Sequence, residues 1–421
     1  MNRNTETIKI KQKKQGRAKQ KKWLRPRHRV FTFLGRPVLA ALSRLMYNIR
    51  IDRFREQGNR QYLVLMNHQT AFDQFFISVA FRGPVYYLAS EDLFSKGFVS
   101  SLIRYLVAPI PIQKSMTDIK AVLDCKRVVR EGGTIAMAPE GNRTYSGRTE
   151  HIKDSIAPFV RSLRLPVAIF RIEGGFGVHP RWSDVRRRGK MRAGVSRVIE
   201  YEEYKDMTDG ELFGLLSKEL YVDEAKADGF FYHKKSAEYL ERAMYVCPAC
   251  GLSEFESSGD LVTCKKCERS VRYLPSKELE GVGFTFPFRF LAEWYDYQSD
   301  FIRTLDLSPY AEAPVYTDTV RFSEAIPCKH KVKIADEAVL SVYADRFIFS
   351  HAGGLSVYPF SEITAATALG RNKLNLYVGG RIFQVHGGKR FCVLKYLNIY
   401  YHAVGEKTAA KGVSHAEFLG L

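Results

Sequence analysis

At 421 residues the chain exceeds one typical domain, and two or three are expected. Apolar residues make up 45% of it, enough to build real cores. The formal net charge of +20 is large and unevenly placed.

Residues 1–29 form a basic tail, with about a dozen Lys and Arg between Arg3 and Arg29 against a single acid, Glu6. Such an arm can bind nucleic acid or an anionic membrane face, where each basic residue near the surface contributes about 1 kcal/mol. A solubilising tail is the plain alternative. In the next segment, residues 30–48, the stretch from Val30 to Tyr47 is mostly apolar but interrupted by Arg36, Pro37 and Arg44. A transmembrane helix needs about 20 predominantly apolar residues, and two central arginines argue against a span. An amphipathic segment lying in the interface fits better, and the same pattern suits a helix packed on the next domain. The basic start lacks a small-residue cleavage site behind a short apolar core, so no cleavable signal peptide is expected.

From 49 to 205 apolar strand-like runs alternate with longer helical patterns, as in an α/β domain. Strands are predicted at 61–66, 84–89, 107–112, 133–138, 166–172 and 193–200, and helices at 71–82, 95–105, 117–131 and 151–163. The first strand runs into NHQTAFD, residues 67–73, which places His68 five residues before Asp73. A histidine beside a carboxylate is a candidate general base with its orienting partner. On a regular helix residues five apart lie roughly 140° apart, so His68 must sit in the turn and Asp73 in the helix that follows. A capping Asn67, a satisfied histidine and a helix-start aspartate are the bland alternative. A second strand runs into APEGNRT, residues 138–144, which gathers Glu140, Gly141 and Arg143 at a strand end, where α/β proteins bind ligands. Gly141 admits close backbone approach and Arg143 offers a planar donor fork to phosphate.

NHxxxxD followed by xPEGxR resembles the glycerolipid acyltransferase family, typified by lysophosphatidic acid acyltransferases, over roughly residues 50–205. The family's second block ends in an arginine, where this chain has Lys114 after Ala108-Pro109-Ile110-Pro111-Ile112-Gln113. Lysine keeps the charge but loses the fork. The last block fits Leu165-Pro166-Val167-Ala168-Ile169-Phe170, while Ala138 and Asn142 depart from the residues usual in the third. The resemblance implies acyl transfer from a thioester, on CoA or acyl carrier protein, to the hydroxyl of a lysophospholipid, above all 1-acylglycerol 3-phosphate, in phospholipid biosynthesis. His68 would take the hydroxyl proton while Asp73 fixes its tautomer, with no covalent acyl-enzyme. Glu140, Gly141 and Arg143 would form the acceptor-phosphate site, with Lys114 assisting and Glu140 holding Arg143 or a glycerol hydroxyl.

Residues 206–244 alternate in charge with scattered apolar positions, and helices packing on the domain's edge are expected. A zinc ribbon is expected over 245–275, where Cys247-Pro-Ala-Cys250 and Cys264-Lys-Lys-Cys267 supply two knuckles and four thiolates for one tetrahedral zinc. Such a closed site is structural, and disulfides are not expected without export. Residues 276–329 form an aromatic-rich linker and helix, whose cluster from Phe284 to Phe301 suits packing between domains better than a membrane belt. Over 330–405 six short strands and a closing helix, about 390–404, resemble a pleckstrin-homology or GRAM-like module, and 406–421 is a tail. Gly387-Gly388-Lys389 is a turn before it is a phosphate cradle.

The expected protein is thus an α/β acyltransferase domain, a small zinc ribbon and a C-terminal β-rich domain ending in a helix. It would be cytoplasmic and peripheral on the inner face of the cell membrane, with an anionic membrane surface, the lysophospholipid and the acyl donor as partners. A nucleic-acid or ribosome-binding protein is the rival. It draws on the basic tail, the ribbon and the arginines from Arg181 to Arg188, but leaves the two motifs unexplained. A non-catalytic lipid-binding scaffold is the third reading.

Overall fold

The computed structural model describes residues 22–90, 93–94, 98–112, 119–326 and 331–409. The N-terminal α/β domain runs in the order α1 (Pro26–Tyr47), β1 (Ile49–Ile51), β2 (Leu63–Met66), α2 (Asp73–Ala80), β3 (Val85–Ser90), α3 (Phe98–Val107) and β4 (Ile110–Ile112). It continues with α4 (Ile119–Arg130), β5 (Thr134–Met137), α5 (Ile156–Leu163), β6 (Val167–Glu173), the single turn α6 (Gly175–Val178), β7 (Met191–Ile199), α7 (Tyr201–Tyr204) and α8 (Asp209–Leu220). The expected alternation is met. The short β1, with its alternating Ile-Arg-Ile, went unread because three residues give no usable period.

The sheet order is β1-β7-β6-β2-β5-β3-β4. The strands β6, β2, β5, β3 and β4 are mutually parallel, and β7 runs antiparallel to β6. Parallel strands are covered on both faces, and β2 is buried at every position for that reason. Leu63 and Leu65 face a core with Ile135, Val167 and Ile169, whereas Val64 and Met66 face the opposite core with Ala136, Ala168 and Phe170. The carboxyl ends of β2, β5 and β6 therefore lie side by side, with the residues after each strand converging there.

α1 begins with proline at its first turn and stops at Asn48, which takes a left-handed φ of 49° and donates its N–H to the Arg44 carbonyl at 2.9 Å. It packs on α2 and α3. Just before it, the Trp23 and Leu24 N–H groups donate to the Glu131 carboxylate at 2.7 and 2.9 Å. α8 has a capping box between Thr208 and Glu211. The helical expectation for 206–244 holds only that far. Residues 221–239 instead lace along the α/β domain through bridges at Asp223 and Tyr232 and the buried Phe231. Phe231 fits beneath Gly177 and Gly189, which leave no room for a β-carbon.

The cysteine module follows as β8 (Val246–Cys247), β9 (Gly251–Leu252), β10 (Phe255–Ser258), β11 (Leu261–Cys264), β12 (Ser270–Tyr273) and β13 (Leu279–Gly281). β8 pairs with β9, and the last four form an antiparallel sheet in sequence order. The aromatic cluster packs inward, with Phe286 edge-to-face on Trp294 of α9 (Leu291–Arg303) at 5.0 Å. The C-terminal domain comprises β14 (Tyr316–Ala325), β15 (Lys331–Val342), β16 (Arg346–His351), β17 (Gly354–Pro359), β18 (Ile363–Leu369), β19 (Lys373–Val378), β20 (Arg381–Gly387) and α10 (Val393–Ala409). Its antiparallel order is β17-β16-β15-β14-β20-β19-β18, and α10 packs on β18. β14 lies in the stretch expected to be linker, because its exposed face carries Thr317, Thr319 and Arg321, and Asp318, paired with Lys395, interrupts its inward apolar row.

A single apolar cluster runs from Tyr145, Phe176 and Trp182 of the α/β domain through Val246 and Trp294 to Val320, Leu340 and Leu397. The three parts therefore share one core rather than hanging on linkers.

Candidate active site

Asn67 ends β2 as a clasp, not a cap. Its side-chain N–H donates to the Ile172 carbonyl and its oxygen accepts the Ile172 N–H, both at 2.8 Å, locking the end of β2 to that of β6. His68 then turns towards Asp73 at the start of α2, and its Nδ1 lies 2.8 Å from Asp73 Oδ2. The expected strand-turn-helix geometry is what brings residues five apart together. Asp73 is fully buried and accepts the Gln69 and Thr70 backbone N–H groups at 2.7 and 2.9 Å and the Thr70 hydroxyl at 2.6 Å. An acceptor so fixed takes the Nδ1 proton and leaves Nε2 as the basic nitrogen of His68. Part of the His68 side chain remains open to solvent.

Glu140 has a different place from the one expected. One oxygen accepts the His68 N–H and the other the Glu150 N–H, both at 2.8 Å. It braces the backbone of the histidine, and no bond to Arg143 is seen. Burial pushes its carboxyl up to about 8 against the opposing pull of those two N–H groups. Gly141 closes the turn with a left-handed φ of 70° and donates its N–H to the Ala138 carbonyl at 3.1 Å. The Thr144 N–H then donates to the His68 carbonyl at 3.4 Å, tying the second motif to the first. Lys114 lies outside the described residues.

Arg143 is half-buried, and its Nη1 is buried without a hydrogen-bond partner. Burial and then the charges of Arg181 and Arg371 hold its guanidinium down to about 10, with Asp73 acting the other way. Arg371 belongs to the turn between β18 and β19, so the C-terminal domain reaches the site. Its Nη1 donates to Asp184 at 3.1 Å and its Nη2 to His179 Nε2 at 2.6 Å. Burial and the surrounding arginines hold the His179 imidazole down to about 3, so it is a neutral acceptor. Its Nδ1 lies 3.3 Å from the hydroxyl of Tyr47, the last residue of α1.

Arg181 pins this arrangement: it donates to the carbonyls of Arg143 at 2.8 Å and Gly370 at 3.0 Å and stacks on Tyr145 at 4.2 Å. Arg187 lies over Trp182 and Tyr273, and Arg242 donates to Asp184 and to the Trp182 carbonyl at 2.9 Å. The arginine run that supported a nucleic-acid reading thus has Arg181 and Arg187 buried between domains, each 3% exposed. Tyr47, His179, Arg181 and Arg371 were not read as site residues. No local motif marks them, and Arg371 stands 228 residues from Arg143, a separation only the fold closes.

The family model described as Acyltransferase matches residues 36–172, which contain both motifs. Residues 36–172 form an acyltransferase domain. No curated protein sequence matches the chain. Among solved structures it is similar to the 1-acyl-sn-glycerophosphate (LPA) acyltransferase PlsC from Thermotoga maritima, at 18% identity, covering 46% of this chain and 76% of that one with a TM-score of 0.38. The cysteine module and the C-terminal domain lie outside the matched acyltransferase segment.

Away from the acyltransferase domain, the four expected thiols do converge. The ligand atoms of Cys247, Cys250, Cys264 and Cys267 lie within 4.8 Å of one another, with Cys247–Cys267 at 3.7 Å and Cys250–Cys264 at 3.6 Å. Four sulfurs about 2.3 Å from a tetrahedral zinc stand roughly 3.8 Å apart, so the set fits that ion. The thiols are free of disulfides.

Proposed function

We propose that the protein transfers a fatty acyl group from a thioester, on CoA or acyl carrier protein, to the hydroxyl of a lysophospholipid, with 1-acylglycerol 3-phosphate the first candidate acceptor. The observation that carries this reading is the His68–Asp73 pair at 2.8 Å within an acyltransferase domain, beside an arginine with an unpaired buried N–H. His68 Nε2 removes the acceptor's proton as its oxygen attacks the thioester carbonyl, the thiolate leaves, and Asp73 stabilises the imidazolium. Arg143 receives the acceptor's phosphate. Glu140 keeps the His68 backbone in place and does not touch substrate.

The surface supports a peripheral membrane location. α1 exposes Val30, Phe33 (75%), Leu34, Val38 and Leu45 (83%), and its neighbour α3 exposes Phe98 (81%), Leu102 and Tyr105. No helix among the described residues is long and apolar enough to cross a membrane. A face of this kind suits burial at the headgroup level, with the basic tail drawn to anionic lipid on the cytoplasmic leaflet. The cysteine cluster is assigned to one structural zinc. All four ligand positions are thiolates, which leaves no open coordination position for substrate.

The test offers labelled acyl-CoA and acyl-loaded carrier protein to the purified chain in mixed micelles containing lysophosphatidic acid, glycerol 3-phosphate or monoacylglycerol. Turnover with a phosphate-bearing acceptor is expected. Its absence with every pair, from folded protein, would refute the catalytic reading and favour the lipid-binding scaffold.

A further inference from the structure

We propose that Arg371 of the C-terminal domain joins Arg143 in binding the phosphomonoester of the acceptor, so that the headgroup site is built from two domains. This rests on the acyl-transfer reading above for the identity of the ligand, but its arginine geometry stands by itself.

Arg143 Nη1 and Arg371 Nε are both buried without a hydrogen-bond partner. Each guanidinium lies within electrostatic reach of the other group's surroundings: Arg371 lowers the Arg143 pKa, and both Arg371 and Arg143 act on His179. The acid that offsets Arg143 is Asp73, whose oxygens are engaged by His68, Gln69 and Thr70. On Arg371, His179 is neutral, and the one carboxylate, Asp184, is shared with Arg242. Positive charge therefore exceeds negative charge beside the catalytic pair, and a dianion would balance it.

The placement of Arg371 is built, not incidental. Arg181 fastens Gly370 to the Arg143 backbone, and Asp184 orients the Arg371 fork while itself held by Arg242. His179 and Tyr47 then connect Arg371 to the end of α1 and to Thr70, the residue that donates to Asp73. Arg143 Nη1 and Arg371 Nε each offer a phosphate oxygen a donor without a partner, while Asp184 and His179 hold the rest of the Arg371 guanidinium in place. A choline- or ethanolamine-bearing phosphodiester has one charge fewer and a cation that Arg371 would repel.

Calorimetric titration of the full chain with glycerol 3-phosphate, inorganic phosphate and glycerol tests this directly. Wild type is expected to bind glycerol 3-phosphate and not glycerol, and inorganic phosphate more weakly if the glycerol moiety is also read. Arg371→Ala should weaken the phosphate ligands by about tenfold or more. Arg371→Lys should fall between, with an unchanged melting temperature. In turnover, Arg371→Ala should raise KM for lysophosphatidic acid with kcat within about threefold, and leave a neutral monoacylglycerol unaffected. Wild-type affinity in a folded Arg371→Ala, or equal losses on charged and neutral acceptors, would overturn the proposal. Phosphate binding that depends on Arg371 without turnover on any acceptor would sink the acyl-transfer reading and leave the arginine pair standing.

Discussion

The carboxylate of Asp73 meets four donors at once, and the identity of the residue matters as much as its position. Asp73→Asn would put an amide NH2 where one carboxylate oxygen now accepts, so that it opposes backbone N–H groups or forces His68 Nδ1 to accept and take the wrong tautomer. A kcat loss of about 10²–10⁴ is expected, together with a loss of roughly 1–3 kcal/mol in unfolding free energy. Steady-state kinetics and urea titration check the two together. His179 supplies a pH dependence. Its folded value, about 3, lies below the ordinary 6.5. Between those values the unfolded chain binds the extra proton, so stability is complete above the upper value and falls as pH drops through the window. Unfolding free energies measured at acidic and neutral pH should diverge less in His179→Asn than in wild type, and identical slopes would contradict the assignment. At this scale the sequence announced the pairing of His68 with Asp73, because a local motif carries it. It misplaced Glu140, whose role depends on the His68 and Glu150 backbone N–H groups, and was silent on Arg371.

Regular elements were more legible than single residues. The strand β2, most of β5 and the start of β6 carry short apolar runs, a signal that survives without structure, whereas β14 interleaves Tyr316, Val320 and Phe322 with polar residues on both faces. The stretch 221–239 has the mixed polarity of a surface helix but runs as turns and two isolated bridges, pinned where Val222, Ala225, Phe231 and Ala237 are buried. α1 was read both as interfacial and as packed, and it is buried at His28, Ser43 and Tyr47 while exposing its apolar side elsewhere. Burying a large apolar side chain contributes about 1.5–3 kcal/mol. Phe33→Ser with Leu34→Ser should therefore lower partition onto anionic vesicles by roughly 10²-fold or more, with the circular dichroism unchanged. Retained vesicle binding would move the membrane contact elsewhere.

For the whole molecule, the shared core changes what the added modules are for. They stand far along the chain from the two motifs, yet the β18–β19 turn and the arginines of 181–187 tie them to the candidate site. Cys247 and Cys264 are part of that core. Zinc should therefore be present at about one ion per chain by elemental analysis. Cys264→Ser should lower the melting temperature of the entire protein rather than of the module alone, and an unchanged melting curve would contradict this. The central claim remains the chemistry of His68. The most direct measurement is the single-turnover rate of acyl transfer by His68→Ala beside wild type, with glycerol 3-phosphate affinity and melting temperature recorded on the same samples. A fall in rate of about 10²–10⁴ with binding and fold retained is the predicted result. Unimpaired transfer by a folded His68→Ala would contradict the account.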